Sequence, residues 1–459
     1  MIIVTESAAA LKGFIAQTGL AESARTMILR VALAFIGHRG RMSCSQAAVS
    51  VTSDTVHRGE LTRFLKRPIR RKREHNSQLR ALLLAKESKR GKFVFLIDAT
   101  LVSQAGKKTQ NTYGTNNHNR GRRTKCKRYG KKKIAYKTCH SFTFGVLITP
   151  SGIRVPFQIP HYTQEYCAEH GLVHRTTAEA AAELIRTLPL PADAEVVVLG
   201  DTAYDAKVVQ QACDERGYTW IVPANPERVY QDSPRDRSGP RPKLRSRLKD
   251  WTSLSLRTIR LRASTGKYAG YRRLSRWRSG PTQKPRVYYA HQETREVRRV
   301  GRVLLVFSTT KAELSAATPD DVKILMTNAM HLRAREVLEL YSLRWQIELF
   351  FKELKSTLGF DRYRFRSFAA VESWAEIAIT TALFLEYFRV RQMRNKRLSE
   401  ERRAWWSRQR LHGLCAAFRR ECEGKELHYM AERLKTPGGL AKLKRLLIAA
   451  TPPEFRAAG

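Results

Sequence analysis

The sequence predicts an α/β protein whose mixed core lies between two all-helical regions. Three observations lead to this fold class. Apolar, β-prone runs alternate with helical segments between residues 93 and 222. Apolar residues recur at helical spacing through much of residues 1–88. From residue 332 to the end the pattern is again mostly helical, whereas residues 226–300 hold short β-prone pieces that predict a β-rich insertion.

The N-terminal region begins with a predicted helix through 24–35, where apolar residues recur at helical spacing. Shorter helices are expected at 45–51 and 54–65, and six of the eight residues at 66–73 are basic. Small helices followed by a basic run are typical of a DNA-binding head. A helical domain with a solvated charge run fits these residues equally well, so both interpretations stay open.

The first part of the core contains two apolar strands that each deliver a carboxylate. A strand at 93–97 is expected to end at Asp98, and a second strand at 195–200 is expected to end at Asp201. Many α/β proteins place an aspartate there only to cap a helix or to bind a sugar hydroxyl, so the pair alone indicates little. Further strands and helices are predicted around them, at 141–148, 153–159, 176–188, 207–216 and 218–222.

Basic residues concentrate around this core. The chain carries 85 Lys and Arg against 41 Asp and Glu, a formal net charge of +44. Residues 105–137 hold twelve Lys or Arg and no acid, and residues 235–278 hold fifteen against two Asp. The second segment also contains Trp251 and Trp277, which could stack on bases or form the insertion's own small core. Such an excess predicts a polyanionic partner, nucleic acid first and an anionic membrane second.

Several other classes are disfavoured. No uncharged apolar stretch of about 18 residues exists, and the N-terminus lacks a signal peptide's basic start and apolar core, so we expect a cytoplasmic, nucleoid-associated protein without a membrane. Seven scattered cysteines do not form a disulfide framework. The Cys167 and His170 pair has zinc-like spacing but no second close pair, so isolated thiols are expected. No GxxxxGK[ST] or GxGxxG motif is present.

A helix predicted over 333–358 supplies a third acidic side chain. At about 100° per residue, Tyr341, Arg344, Glu348 and Lys355 fall within one polar strip of about 60°. An adjoining apolar arc would seat the helix on the sheet; it consists of Leu340, Leu343, Ile347, Phe351, Leu354 and Leu358. An ordinary amphipathic helix with ion pairs four residues apart fits this spacing too.

The helix also resembles a known family. The spacing Tyr341-x2-Arg344-x3-Glu348-x6-Lys355 is similar to the YREK signature of bacterial insertion-sequence transposases, in insertion-sequence family four. Asp98, within Leu-Ile-Asp-Ala-Thr, resembles the first acidic motif of that family, and Asp201, within Gly-Asp-Thr-Ala-Tyr-Asp, resembles the second. The resemblance covers about residues 93–360.

The resemblance implies an RNase H-like core in which Asp98, Asp201 and Glu348 form a DDE triad that binds two magnesium ions, with manganese as a substitute. It implies an enzyme that excises a DNA element at its terminal inverted repeats and joins it elsewhere. By the same resemblance, Arg344 and Lys355 would hold DNA phosphates and Tyr341 would position the strand end. Many relatives stack a flipped base on a tryptophan, and Trp277, Trp251 and Trp345 are the candidates here.

Five segments follow from these expectations. They are a helical DNA-end-binding domain at 1–88, the first part of the core at 89–225, the basic β-rich insertion at 226–300, the completion of the core with the YREK helix at 301–368, and a helical C-terminal region at 369–459. The expected partner is double-stranded DNA, both the inverted repeats and the target, bound by a homodimer in the synaptic complex. An endonuclease or resolvase without strand transfer, and a non-catalytic DNA-binding relic, are the alternatives.

Overall fold

The structure is a computed structural model, which describes residues 6–37, 47, 58–67, 70–104, 108–115, 137–233, 241–248, 254, 256–261, 286–312 and 318–441. Within those residues, ten strands form a single mixed sheet in the order β2-β3-β1-β5-β6-β10-β9-β8-β7, and β4 pairs with β3. The strands are β1 Phe93–Gln104, β2 Tyr113–Thr115, β3 Lys137–Ile148, β4 Arg154–Pro160, β5 Val196–Leu199, β6 Thr219–Pro223, β7 Arg257–Leu261, β8 Arg286–Val297, β9 Gly301–Thr309 and β10 Lys323–Thr327.

Helices lie before, between and after these strands, which confirms a mixed α/β protein with a large sheet. They are α1 Glu6–Ala16, α2 Glu22–Gly37, α3 Arg58–Lys66, α4 Arg70–Leu84, α5 Gln164–His170, α6 Thr177–Arg186, α7 Lys207–Glu215, α8 Ala334–Tyr341, α9 Trp345–Thr357, α10 Phe368–Arg394, α11 Glu400–Ser407 and α12 Leu411–Leu434. The predicted helix at 45–51 lies almost wholly outside the described residues.

The centre of the sheet is a parallel trio, β1, β5 and β6. The four residues of β5 are all buried valines and leucine, as expected for a strand covered on both faces. Helix α7 connects β5 to β6 as a crossover helix. The carboxyl ends of these parallel strands therefore meet at one edge of the sheet, where ligands of open α/β sheets bind.

The strands predicted within the insertion are part of the same sheet. β8 pairs antiparallel with both β7 and β9, and β9 pairs with β10, which pairs in turn with β6. The boundary drawn at residue 300 falls inside the short turn between β8 and β9. Consequently the described strands of the insertion extend the core sheet on one side.

The N-terminal and C-terminal helical regions pack together. Helices α1 to α4 all contact the long helix α10, and α12 contacts both α10 and α9. Buried polar contacts fix this arrangement: the Asn76 amide donates to the Glu376 carboxylate at 2.6 Å, and the Ser373 hydroxyl donates to the Leu65 carbonyl at 2.5 Å. The basic run at 66–73 includes the start of α4.

Helix α10 is the one described helix that is long and apolar enough to cross a membrane. In its most apolar window, 94% of the helix is buried inside the protein. Its neighbours in the fold are α1 to α4, β4, α11 and α12. Burial of this kind is what the central helix of a packed core requires.

Candidate active site

Asp98 and Asp201 lie side by side at the carboxyl edge of the parallel strands. β1 and β5 pair in register, with Leu96 opposite Leu199. Asp98 and Asp201 each come two residues after this pair, so they lie at the same level along the two neighbouring segments. The expectation that the first strand ends at Asp98 is wrong, because β1 continues to Gln104 through its pairing with β3. Asp98 therefore lies within a strand, and the pairing of β1 with β3 fixes the backbone at this position.

The turn after β5 fixes the position of Asp201. Its carboxylate accepts the Ala203 backbone N–H at 2.9 Å and so caps the 3-10 turn Thr202–Tyr204. Gly200, just before it, is closely approached by Tyr204, because a β-carbon at that position would lie 2.8 Å from the Tyr204 β-carbon. This tight packing explains the glycine and holds the aspartate against β1.

The four YREK positions do not lie on one continuous helix, which corrects the predicted helix over 333–358. Tyr341 ends α8, Arg344 ends the 3-10 turn Ser342–Arg344, and Glu348 and Lys355 belong to α9. A 3-10 turn advances about 120° per residue, so the strip calculated for a regular helix is shifted here. The apolar arc is confirmed, since all six of its residues are buried; they are Leu340, Leu343, Ile347, Phe351, Leu354 and Leu358.

Arg344 joins the third carboxylate to the first. Its guanidinium donates to Asp98 Oδ2 at 3.3 Å and, through its other terminal nitrogen, to Glu348 Oε1. The side chains of Arg344 and Asp98 are each only 16% exposed, so the bridge is partly shielded from water. The Arg344–Glu348 pair fits its spacing of four residues, whereas the link to Asp98 connects the 3-10 turn before α9 to a strand residue 246 positions earlier.

Asp201 and Glu348 act electrostatically on Asp98. The pKa of Asp98 is raised to about 6, mainly by burial and then by the negative charges of Asp201 and Glu348, while Arg344 opposes the rise. The buried Tyr204 hydroxyl has a pKa well above its usual value, because of its burial and because of Asp98 and Asp201. A site that gathers this much negative charge has an affinity for cations.

The remaining predicted residues have different surroundings. Lys355 points at the sheet, where its ammonium donates to the Leu101 carbonyl of β1 at 2.9 Å, and burial lowers its pKa. Trp345 is 57% exposed beside Arg344, at a cavity of about 350 Å³ that Tyr341 and Lys323 also line. Trp277 and Trp251 lie outside the described residues, as do most of the basic segments 105–137 and 235–278.

Two residues beside the site, Lys323 and Tyr204, were not predicted from the sequence. Lys323, at the start of β10, places its ammonium 3.3 Å from the Tyr341 hydroxyl and 4.3 Å from the centre of its ring. Nothing in the sequence near Lys323 indicates this contact, because sheet pairing alone brings β10 to α8. Tyr204 belongs to the quoted Asp201 motif, and its size and position three residues after the aspartate were the available signal.

The donor chemistry of the triad suits a hard divalent cation, because all three side chains offer carboxylate oxygens. In the geometry of the described residues, no three His, Cys, Asp or Glu side chains are close enough to hold a metal ion as they stand. The Arg344 guanidinium contacts Asp98 and Glu348 and supplies the positive charge at this point. The three carboxylates therefore have the donor atoms that a divalent metal ion requires. In the structure, the guanidinium of Arg344 neutralises part of their charge.

Part of the chain that includes most of this site is similar to a known protein family. Residues 169–385 match a family model described as the transposase DDE domain. The match supports a DDE transposase. Asp201, Arg344 and Glu348 all lie within the matched segment, and Asp98 precedes it. No curated protein matches the chain.

The arrangement of acidic residues is consistent with the match to the transposase DDE domain. The matched segment carries the second aspartate, the glutamate and the strands between them, and β1 adds the first aspartate through its pairing with β5. Sheet pairing and the Arg344 bridge thus gather acidic residues from three distant parts of the chain.

Proposed function

We propose that the protein catalyses metal-dependent cleavage of DNA at terminal inverted repeats, followed by strand transfer, as a cut-and-paste transposase of the YREK-signature family. The catalytic residues in this proposal are Asp98, Asp201 and Glu348, on an RNase H-like core. The partners are the inverted-repeat ends and a target DNA, brought together by a homodimer in the cytoplasm at the nucleoid.

A single observation carries the proposal: three carboxylates from distant parts of the chain converge on one charged site. Parallel pairing of β1 and β5 puts Asp98 level with Asp201, and Arg344 links Asp98 to Glu348. Packing of the fold alone does not require two further carboxylates within electrostatic range of Asp98, since their repulsion and the burial of Asp98 cost free energy.

Divalent metal ions are the cofactor that this donor set would hold. Asp98, Asp201 and Glu348 would bind two magnesium ions, or manganese in their place, and ions so bound lower the pKa of an attacking water or 3′-hydroxyl and stabilise the leaving oxygen of a phosphodiester. Transposase DDE domains generally use divalent ions. The chain's own contribution is the fixed backbone under each carboxylate, from β1, from the capped turn after β5 and from α9.

The cationic side chains would orient the DNA. Arg344, which contacts Asp98 and Glu348 in the structure, would make a bidentate contact with a DNA phosphate. Tyr341, held by Lys323, lies in the adjoining cavity and would position the strand end. Lys355, bonded to the Leu101 carbonyl, supports β1 beside Asp98 in the structure as it stands.

The proposal is tested with DNA that carries the inverted repeats flanking the gene. We expect magnesium-dependent cleavage at the repeat ends, abolished separately by Asp98→Ala, Asp201→Ala and Glu348→Ala. Asp193→Ala, at an exposed carboxylate outside the site, is the matched control and should cleave normally. Full cleavage by any of the three triad variants would refute the assignment of that residue.

Strand transfer is tested by adding a target plasmid to the same reaction. A transposase yields joined products, whereas an endonuclease or resolvase on the same core yields nicks alone. A DNA-binding relic gives retarded complexes without either product. Analytical ultracentrifugation of the protein with two repeat ends then tests the homodimer.

A further inference from the structure

The turn between β8 and β9 has an unusual residue for its conformation. Val297 pairs with Gly301 across the turn, and the Val300 N–H donates to the Val297 carbonyl at 3.0 Å. Arg299 sits in this turn with φ of 68°, in the left-handed region that favours glycine or asparagine. Arg299 therefore occupies a position whose backbone conformation favours glycine or asparagine. Backbone strain of this kind is found at functional positions.

Arg298 and Arg299, which we call the arginine tip, are both exposed. They line a cavity of about 350 Å³, together with Asp205, Asn225, Glu227 and Arg228. Neither guanidinium forms an ion pair with any carboxylate in the described part of the chain. The tip therefore presents two cations to solvent beside a concave surface.

The two carboxylates of the cavity are already neutralised. Asp205, whose side chain is 1% exposed, pairs with Arg228 at 2.6 Å. Glu227 pairs with Lys243 at 2.7 Å and with Arg245 at 2.8 Å. The acidic residues of the cavity thus cannot compensate the arginine tip, and the region has an excess of positive charge.

This cavity is attached to the turn that carries Asp201. Asp205 follows Asp201 by four residues, and its carboxylate also accepts the Asn225 N–H at 2.8 Å and the Gln210 amide at 3.0 Å. These bonds connect the turn after β5 to the segment after β6. The cavity and the candidate triad therefore share one short, well-bonded stretch of chain.

We propose that the arginine tip is a DNA-backbone contact, which binds phosphates of double-stranded DNA outside the scissile position. The inference rests on the proposed function, because it assumes that a duplex lies at the triad. Arginine suits the role since its planar fork makes bidentate bonds to phosphate. Two adjacent arginines at the turn of a paired hairpin would hold a DNA backbone without reading its sequence.

The test distinguishes binding by the arginine tip from its effect on the fold. Full-length Arg299→Gly and Arg298→Gln/Arg299→Gln proteins are compared with wild type for binding of a 40-base-pair duplex in EDTA, over a series of salt concentrations. The slope of log affinity against log salt should become shallower by about 0.9 for each phosphate that is no longer neutralised, so by about 1.8 for the double variant. Arg402→Gln/Arg408→Gln, at two exposed arginines near α11, is the matched control and should retain more of the slope.

Arg299→Gly adds a second readout. Because glycine adopts the left-handed conformation without strain, the melting temperature should stay equal or rise by about 1–2 °C while DNA affinity falls. A stable variant with an unchanged salt slope overturns the proposal, and so does a double variant whose slope falls no further than that of the control pair. A weakening seen with an RNA duplex but not with DNA also overturns it.

Failure of this proposal is distinct from failure of the proposed function. Wild-type cleavage with magnesium is measured in parallel on the repeat-end DNA. Cleavage together with an unchanged slope refutes the arginine tip alone, whereas the lack of cleavage by wild type refutes the proposed function whatever the slope.

Discussion

At the scale of single residues, the site depends on side chains that fit with very little free space. Gly200 leaves no room for a β-carbon beside Tyr204, and Gly145 of β3 leaves none beside Phe95 of β1, where a β-carbon would lie 2.2 Å from the ring. Both glycines therefore help to set the positions of β1, which carries Asp98, and of the turn that carries Asp201. Both glycines are needed because an aromatic side chain packs directly against them, and neither has a positive φ angle.

We predict that Gly200→Ala destabilises the protein by about 1–3 kcal/mol, because the new methyl group forces Tyr204 and the turn at Asp201 to move. Cleavage should fall more steeply than stability, since the displaced carboxylate leaves the level of Asp98. Urea unfolding and a cleavage assay measure the two effects. Gly424→Ala, on α12 with open space around it, should be neutral or stabilising. Wild-type cleavage by Gly200→Ala would contradict the prediction.

A second residue-scale prediction concerns Lys323. Lys323→Met removes the interaction of its ammonium with the Tyr341 hydroxyl and ring, so Tyr341 is left without an orienting partner on β10. We expect the cleavage rate to fall about three- to tenfold with the melting temperature nearly unchanged. Lys352→Met, at an exposed lysine of α9, is the control. Equal rates for the two variants would show that Lys323 does not orient Tyr341.

At the scale of elements, α10 is the support on which the two helical regions and β4 meet. Glu386 of α10 accepts from the Arg154 backbone N–H at 2.8 Å and pairs with the side chains of Arg154 and Arg389. Arg389 in turn donates to the Gly152 carbonyl at 2.7 Å and to the Ser407 carbonyl at 3.1 Å. This buried network ties the β3–β4 turn to α10 and to the end of α11.

The network predicts a loss of stability in acid. Although burial opposes ionisation, Arg154 and Arg389 hold the pKa of Glu386 at about 2, below its ordinary value of 4.5. A carboxylate with a lowered pKa stabilises the fold fully above pH 4.5, and this contribution is lost as the pH falls from 4.5 toward 2. Unfolding midpoints in urea, measured from about pH 7 down to about pH 2.5, should follow this course.

Glu386→Gln tests the same network at neutral pH. The variant leaves Arg154 and Arg389 buried without their counter-charge, and we expect about 3–5 kcal/mol of destabilisation with a weaker response to acid. Glu215→Gln, which breaks an exposed pair with Arg186, should change the unfolding midpoint very little. Similar midpoints for the two variants would refute the role of the buried network.

At the scale of the whole molecule, the helices at the two ends of the chain form one packed body. Because α1 to α4 contact α10, a chain that begins after residue 88 would expose this long apolar helix, which is buried in the intact protein. We predict that such a truncation aggregates on expression. A chain that ends at Glu423 keeps the buried part of α12, including Leu411, Leu414 and Phe418, and should stay monodisperse in size-exclusion chromatography. A well-behaved protein that lacks residues 1–88 would contradict this.

The sequence by itself determined the mixed α/β class, most of the strands and helices, and the acidic residues worth testing. Local signals were sufficient there: β-prone runs for β3, β4 and β5, and helical spacing for the six buried residues between Leu340 and Leu358. The tertiary structure alone decided that Asp98 lies within a strand, that Arg344 contacts it, and that β8 and β9 extend the core sheet. Those outcomes depend on pairing between distant segments, which leaves no periodic trace in the sequence.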